Sequence, residues 1–167
     1  MSQSSSLQGV QVVSLAINLP GPLAAARLRA LGATVTKIEP PAGDPLRAVA
    51  PTWYDELTVG QRVVTLDLKD PADRAVAARE LSRADLMLTA MRPSALVKLG
   101  LDELTAANPH LSHIEIVGHD GIAAEQPGHD LTYQALHGTL QPPTMPTVVR
   151  AGMVSESPAS AVRSALG

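Results

Sequence analysis

The chain of 167 residues has no cysteine, no phenylalanine, one tryptophan and two tyrosines. Without thiols there is no disulfide framework, no Cys-ligated metal site and no thiol nucleophile. With so few rings the core must be aliphatic and alanine-rich, and the aromatic platforms that stack single-stranded nucleic acid have nothing to be built from. The net charge is -3 and no basic tract is present, which argues against nucleic-acid binding and against an anionic membrane surface. No apolar run reaches the length of a membrane span, and the polar, Ser-rich start from Met1 to Gln8 lacks an apolar segment of the signal-peptide kind. A cytoplasmic protein is therefore expected.

What the chain does contain is alternation of strand and helix. Val10, Val12, Val13 and Leu15 make a short apolar strand, Asn18 to Pro22 make a turn, and Leu23, Ala24, Leu28 and Leu31 recur at helical spacing. Gly32 stands where a left-handed C-cap belongs, and Thr34 to Ile38 follows as a second β-rich run. A β-α-β unit of this kind demands a parallel sheet. After Ile38 comes a Pro-rich stretch from Glu39 to Pro45, leading through Arg47 to a segment with Trp53 and Tyr54 that is expected to be irregular. Further strands are expected at Val63–Leu68, Asp85–Thr89 and His113–Val117. Helices are expected at Ala72–Leu81, behind the Asp70-Pro71 cap, and at Asp102–Ala107. Arg92-Pro93-Ser94 reads as one more turn into a helix. Beyond Val117 a Gly-containing loop, a helix from Asp130 to His137, a Pro-rich connector from Gln141 to Pro146 and a last helix from Pro158 to Leu166 complete the expectation.

In open parallel sheets ligands lie beyond the carboxyl ends of the strands, beside helix N-termini suited to phosphate. The turn at Asn18 to Pro22, with Pro20 and Gly21, is thus the first candidate site. There is no Gly-x-Gly-x-x-Gly after the first strand and no P-loop, so nicotinamide and nucleoside-triphosphate readings lose their main support. Lys37, Arg47, Arg62 and Arg92 read as cations gathered in loops at one edge of the sheet, although a solvated surface charge is the ordinary state of any one of them. Arg92, between a strand and a helix, could hold a phosphate bidentately. A second candidate is Gly128-His129-Asp130, where an imidazole beside a carboxylate could move a proton. Asp130 also fits as an N-cap, and Gly118-His119-Asp120 repeats the tripeptide, which weakens it as a signature. His110, His113 and His137 have no metal-type spacing.

These pieces form an ordered series. It runs through Leu19-Pro20-Gly21-Pro22, Leu31-Gly32-Ala33 to Lys37-Ile38-Glu39-Pro40, Gly43-Asp44-Pro45-Leu46-Arg47 and Arg62-Val63-Val64-Thr65-Leu66-Asp67-Leu68-Lys69. It continues with Ala84-Asp85-Leu86, Arg92-Pro93, Leu99-Gly100-Leu101, Asn108-Pro109-His110-Leu111 and Gly128-His129-Asp130-Leu131 with Gln134-Ala135. In this the chain resembles the N-terminal half of the family III CoA-transferases, the group that includes the carnitine CoA-transferase and bile-acid-inducible proteins and the α-methylacyl-CoA racemases.

The resemblance implies an α/β fold, a Rossmann-like parallel sheet with helices on both faces, the large domain of a family III CoA-transferase. Residues 1–8 are then a flexible tail, and 9–167 a CoA-binding domain truncated before the family's second domain. It implies coenzyme A or an acyl-CoA as substrate and no metal, with Arg47, Arg62 and Arg92 at positions associated with CoA binding. Glu156 takes the place of the family's catalytic Asp, in a segment where Ser157-Pro158-Ala159-Ser160 replaces the usual glycines. His129 matches the racemase His, with Asp130 beside it. Two functions follow as expectations: acyl-CoA processing, by CoA transfer or racemisation through a carboxylate and a His, or a non-catalytic CoA-binding or assembly domain. The expected partners are the acyl-CoA itself and either a homodimer mate or a second chain supplying the missing half.

Overall fold

The computed structural model describes residues 6–119, 121–126, 128 and 130–138. Two compact units divide the chain, one to Ile116 and one from Val117. In the first, β1 (Gln11–Ser14), α1 (Pro20–Ala30), β2 (Thr34–Glu39), α2 (Pro45–Val49), α3 (Pro51–Thr58) and β3 (Arg62–Thr65) are followed by α4 (Pro71–Leu81), β4 (Leu86–Thr89), α5 (Pro93–Lys98), α6 (Leu101–Ala106) and β5 (Ser112–Glu115). The strands pair in parallel in the order β3-β2-β1-β4-β5. This is the doubly wound arrangement expected, with its reversal of strand order between β1 and β4.

Helices cover both faces. On one face Ala77 and Leu81 of α4, Leu96 of α5 and Leu101 of α6 pack on Val13, Leu15, Ile38, Leu66 and Met87. On the other, Ala24, Ala25 and Leu28 of α1 lie against Val12, Ala16, Val35 and Leu88. No phenylalanine is needed because small alanines let α1 sit close to the sheet. Gly32, at φ 104, ends α1 in the left-handed region as its sequence position implies.

Five helices, α1 to α5, begin with proline at the first or second position, where its missing N–H would have no intrahelical partner. That placement corrects the expectation of an irregular stretch from Arg47 to Tyr54. Pro45 and Pro51 open α2 and α3 instead of breaking them, and Asp44 caps α2 by accepting the Leu46 N–H at 2.9 Å. Asp70 caps α4 in the expected way, accepting from Ala72 and Asp73.

In the second unit a 3₁₀ turn, Gly121–Glu125, precedes α7 (Asp130–Leu136), which ends before Gly138 at φ 67. The connector at 141–146 and the helix expected at 158–166 lie outside the described residues. Among the described residues no helix is long and apolar enough to cross a membrane.

Candidate functional site

Strand order reverses between β1 and β4, and the carboxyl edge between the turns that follow them is where a doubly wound sheet opens its ligand crevice. Leu15 donates its N–H to Leu88 O at 2.8 Å, holding the two turns together at their origin. Gly21, in the first turn of α1, stands where they meet. A Cβ there would lie 2.1 Å from the Cβ of Ala16 and 3.3 Å from that of Ala90. Only a residue without a side chain lets α1 start this close to both strand ends. Asn18 enters the turn at φ 69, a left-handed conformation that asparagine tolerates better than most residues.

The Asn18 turn is tied to the next one by a buried charge network. Asp44 Oδ1 accepts the N–H of Asn18 at 2.9 Å, while Asp44 Oδ2 meets Lys37 Nζ at 2.5 Å. Lys37 also donates to Glu39 Oε1 at 2.6 Å, and the Tyr54 hydroxyl donates to the same oxygen at 2.9 Å. The Lys37 side chain is 1% exposed. Burial, reinforced by the hydrogen bond from the phenol to Glu39, pushes Tyr54 up to about 12, so this hydroxyl is a donor at any physiological pH. Arg47 lies over the Tyr54 ring at 4.6 Å, its side chain at the surface.

The four cations are therefore not equivalent. Lys37 is an interior residue of β2 and not a loop cation, with its ammonium directed to two carboxylates. Arg62 opens β3 instead of following a strand; it is paired with Glu80 and donates to Thr36 Oγ1 at 3.1 Å. Thr36 is also its register partner, well before the carboxyl end of β2. Arg47 and Arg92 remain exposed at the edge that holds the crevice. Arg92 is the extended N-cap residue of α5, two residues past Ala90, and forms no ion pair among the described residues. Pro20 and Gly21 open α1 at the crevice itself.

Glu156 and His129 lie outside the described residues. Asp130 begins α7, and its side chain lies outside them as well. Among the described residues no group of three or more His, Cys, Asp or Glu could hold a metal ion.

Sequence reading missed Glu39, Asp44 and Tyr54 as a unit. The available signal was Lys37 and Glu39 at spacing two within the strand Thr34–Glu39, which puts both on one face. It also missed a second arrangement, in which the Thr89 hydroxyl and His113 Nε2 share a hydrogen bond of 2.9 Å and His113 Nδ1 lies 3.3 Å from Glu115 Oε1. Burial lowers His113 from its ordinary value and Glu115 only partly opposes this. A base with a depressed folded-state value loses stability as pH falls. The contribution is complete above about pH 6.5, where the unfolded imidazole is neutral, and fades below it. His113→Gln is expected to flatten the acid side of the urea-midpoint profile; an unchanged slope would assign that side to another group.

The family to which this geometry belongs is identified by comparison. Residues 7–155 match CoA-transferase family III, and the chain belongs to that family. It is 35% identical over 146 residues to a cinnamoyl-CoA:phenyllactate CoA-transferase of Clostridium sporogenes, covering 78% of this chain and 35% of that protein. To the human alpha-methylacyl-CoA racemase it is 35% identical over 140 residues, covering 80% and 34%. A CAIB/BAIF family protein from Brucella suis superposes with a TM-score of 0.82 at 30% identity, covering 98% of this chain and 50% of that one. The chain thus spans about a third of the length of these curated relatives and half of the solved one.

Proposed function

We propose that this chain carries the nucleotide-binding half of an acyl-CoA-processing enzyme and takes coenzyme A thioesters at the crevice between the turns after β1 and β4. The observation that supports this most directly is Gly21, whose missing side chain brings α1 against both strand ends where the strand order reverses. A bulky anionic ligand laid there would meet the exposed guanidinium of Arg92 on one side and the Asn18 turn on the other, with Arg47 next along the edge. Lys37 and Arg62, the other two candidate cations, are best assigned to shaping that edge, since both are engaged by acidic side chains.

For the chemistry, the family resemblance supports Glu156 as the carboxylate and His129 with Asp130 as its acid-base companions. In transfer, a carboxylate oxygen attacks the thioester carbonyl carbon, the carbon–sulfur bond breaks, and CoA leaves as the thiolate. In racemisation, one group removes the proton next to the carbonyl and another returns it on the opposite face. A second reading is a non-catalytic CoA-binding or assembly domain. Under either reading a second copy or a second chain is the expected partner.

The test is calorimetric titration of CoA and acetyl-CoA. Wild type is expected to bind both, Arg92→Ala to bind about tenfold more weakly through loss of a charge-assisted contact, and Glu156→Gln to bind as wild type does. Absence of binding by the folded wild-type chain would overturn the reading.

A further inference from the structure

We propose that Asp44 is a positioning residue for the anionic ligand: it ties the turn after β1 to the start of α2, and so sets Arg47 at a fixed place beside the Asn18 turn. The inference rests on the acyl-CoA reading above. Asp44 is enclosed, its side chain 0% exposed, and what it touches is mostly backbone. Its Oδ1 accepts two N–H groups at 2.9 Å, one from Leu46 in the first turn of α2 and one from Asn18, 26 residues earlier. Its main-chain oxygen accepts the N–H of Arg47 at 3.0 Å, and its Oδ2 meets Lys37 Nζ.

A helix cap needs only the bond to Leu46. The bond to Asn18 has a different use. Asn18, at φ 69, is the only non-glycine residue at positive φ among the described residues, and such a conformation persists where its surroundings hold it. One buried oxygen thus sets both the Asn18 turn and the origin of α2. Arg47 is in turn held at both ends, its N–H by Asp44 and its guanidinium over the Tyr54 ring at 4.6 Å. The Tyr54 hydroxyl leads back through Glu39 and Lys37 to Asp44, which closes a circuit around the arginine. A long side chain ordered before the ligand arrives loses less freedom on binding, and that difference is affinity. Arg92, on the other side of the sheet's switch point, lies outside this circuit.

Calorimetric titration of CoA reads the coupling. In the otherwise unchanged protein Arg47→Ala is expected to weaken CoA about tenfold, through loss of a charge-assisted contact. Asp44→Ser keeps the α2 cap, because a serine hydroxyl reaches its own helix N-terminus, and it leaves Lys37 paired with Glu39, but it is too short to reach Asn18. It should weaken CoA by about as much as Arg47→Ala does. In its presence Arg47→Ala should cost less than about twofold more, whereas Arg92→Ala keeps its full effect. A second pair of variants separates the link from the buried charge and serves if Asp44→Ser alone does not fold. In a Lys37→Met/Glu39→Gln background, Asp44→Asn keeps an oxygen for both N–H groups and Asp44→Ser does not, so Arg47→Ala should matter in the first and not in the second. Three results overturn this proposal alone: an Arg47→Ala effect of the same size with and without the Asn18 link, no Arg47→Ala effect in a wild type that binds CoA, or an Arg92→Ala effect lost together with that of Arg47→Ala. A wild type that does not bind CoA overturns the acyl-CoA reading and this inference together.

Discussion

Lys37→Met is expected to destabilise the protein by about 3–5 kcal/mol, the usual consequence of stripping one partner from a buried ionic group. For a chain of this length the melting temperature should fall by roughly 10 °C. The size follows from what remains behind. Without the ammonium, the carboxylates of Glu39 and Asp44 are left in a site where their side chains are 3% and 0% exposed. Among the described residues, two backbone N–H groups and the Tyr54 hydroxyl are then their remaining hydrogen-bond donors. Methionine fills the volume of the lysine stem, so the loss is electrostatic and not a cavity. The control is the triple variant with Glu39→Gln and Asp44→Asn added, in which no buried charge of the network is uncompensated; it should regain much of the lost stability. Thermal unfolding by circular dichroism measures both. A Lys37→Met protein as stable as wild type would mean that water reaches the pair.

Gly21→Ala should invert the usual rule. Replacing glycine by alanine within a helix ordinarily stabilises by up to about 1 kcal/mol. Here the new methyl meets the Cβ of Ala16, which is fixed to the end of β1 and cannot rotate away. Overpacking of that kind typically costs about 1–3 kcal/mol, so a net loss of stability is expected. Because relief requires α1 to move off the strand ends, affinity for CoA should fall by more than the roughly tenfold expected of Arg92→Ala. Pairing the change with Ala16→Gly removes the 2.1 Å clash and leaves the 3.3 Å contact with Ala90. The double variant should recover most of both losses. Urea unfolding and calorimetry read them separately, and a stabilised Gly21→Ala protein that still binds CoA would rule out the crevice at this position.

The centre of the sheet was legible because β1 and β4 are short and mostly apolar. Asp70-Pro71 and Gly32 named the start of α4 and the end of α1 from local chemistry alone. The same rule, applied too broadly, hid α2 and α3. Four prolines between residues 40 and 51 read as a broken stretch, whereas Pro45 and Pro51 each fall at a helix start, where the residue is favoured. Lys37 was misplaced for a different reason. A lysine near the end of an apolar run looks solvated until one knows that β2 lies between β1 and β3 and that acidic groups from the strand end and from the α2 cap converge on it. Arg62 likewise owes its position to pairing with Thr36 and Glu80, contacts made across 26 and 18 residues of chain. Arg92 needed no such information, since its strand and its proline flank it directly.

The seam between β1 and β4 has a consequence for how the protein folds. Strands β1, β2 and β3 pair with near neighbours in sequence, as do β4 and β5. The two sets are joined through contacts such as the Gln11 N–H to Asp85 Oδ2, across 74 residues of chain. Closing so long a loop carries the largest entropic barrier in the sheet and sets the pace of assembly. Gly21 meets Ala16 locally, but its approach to Ala90 is made only by that closure, so under the proposed reading competence to bind arrives with the slowest step of folding.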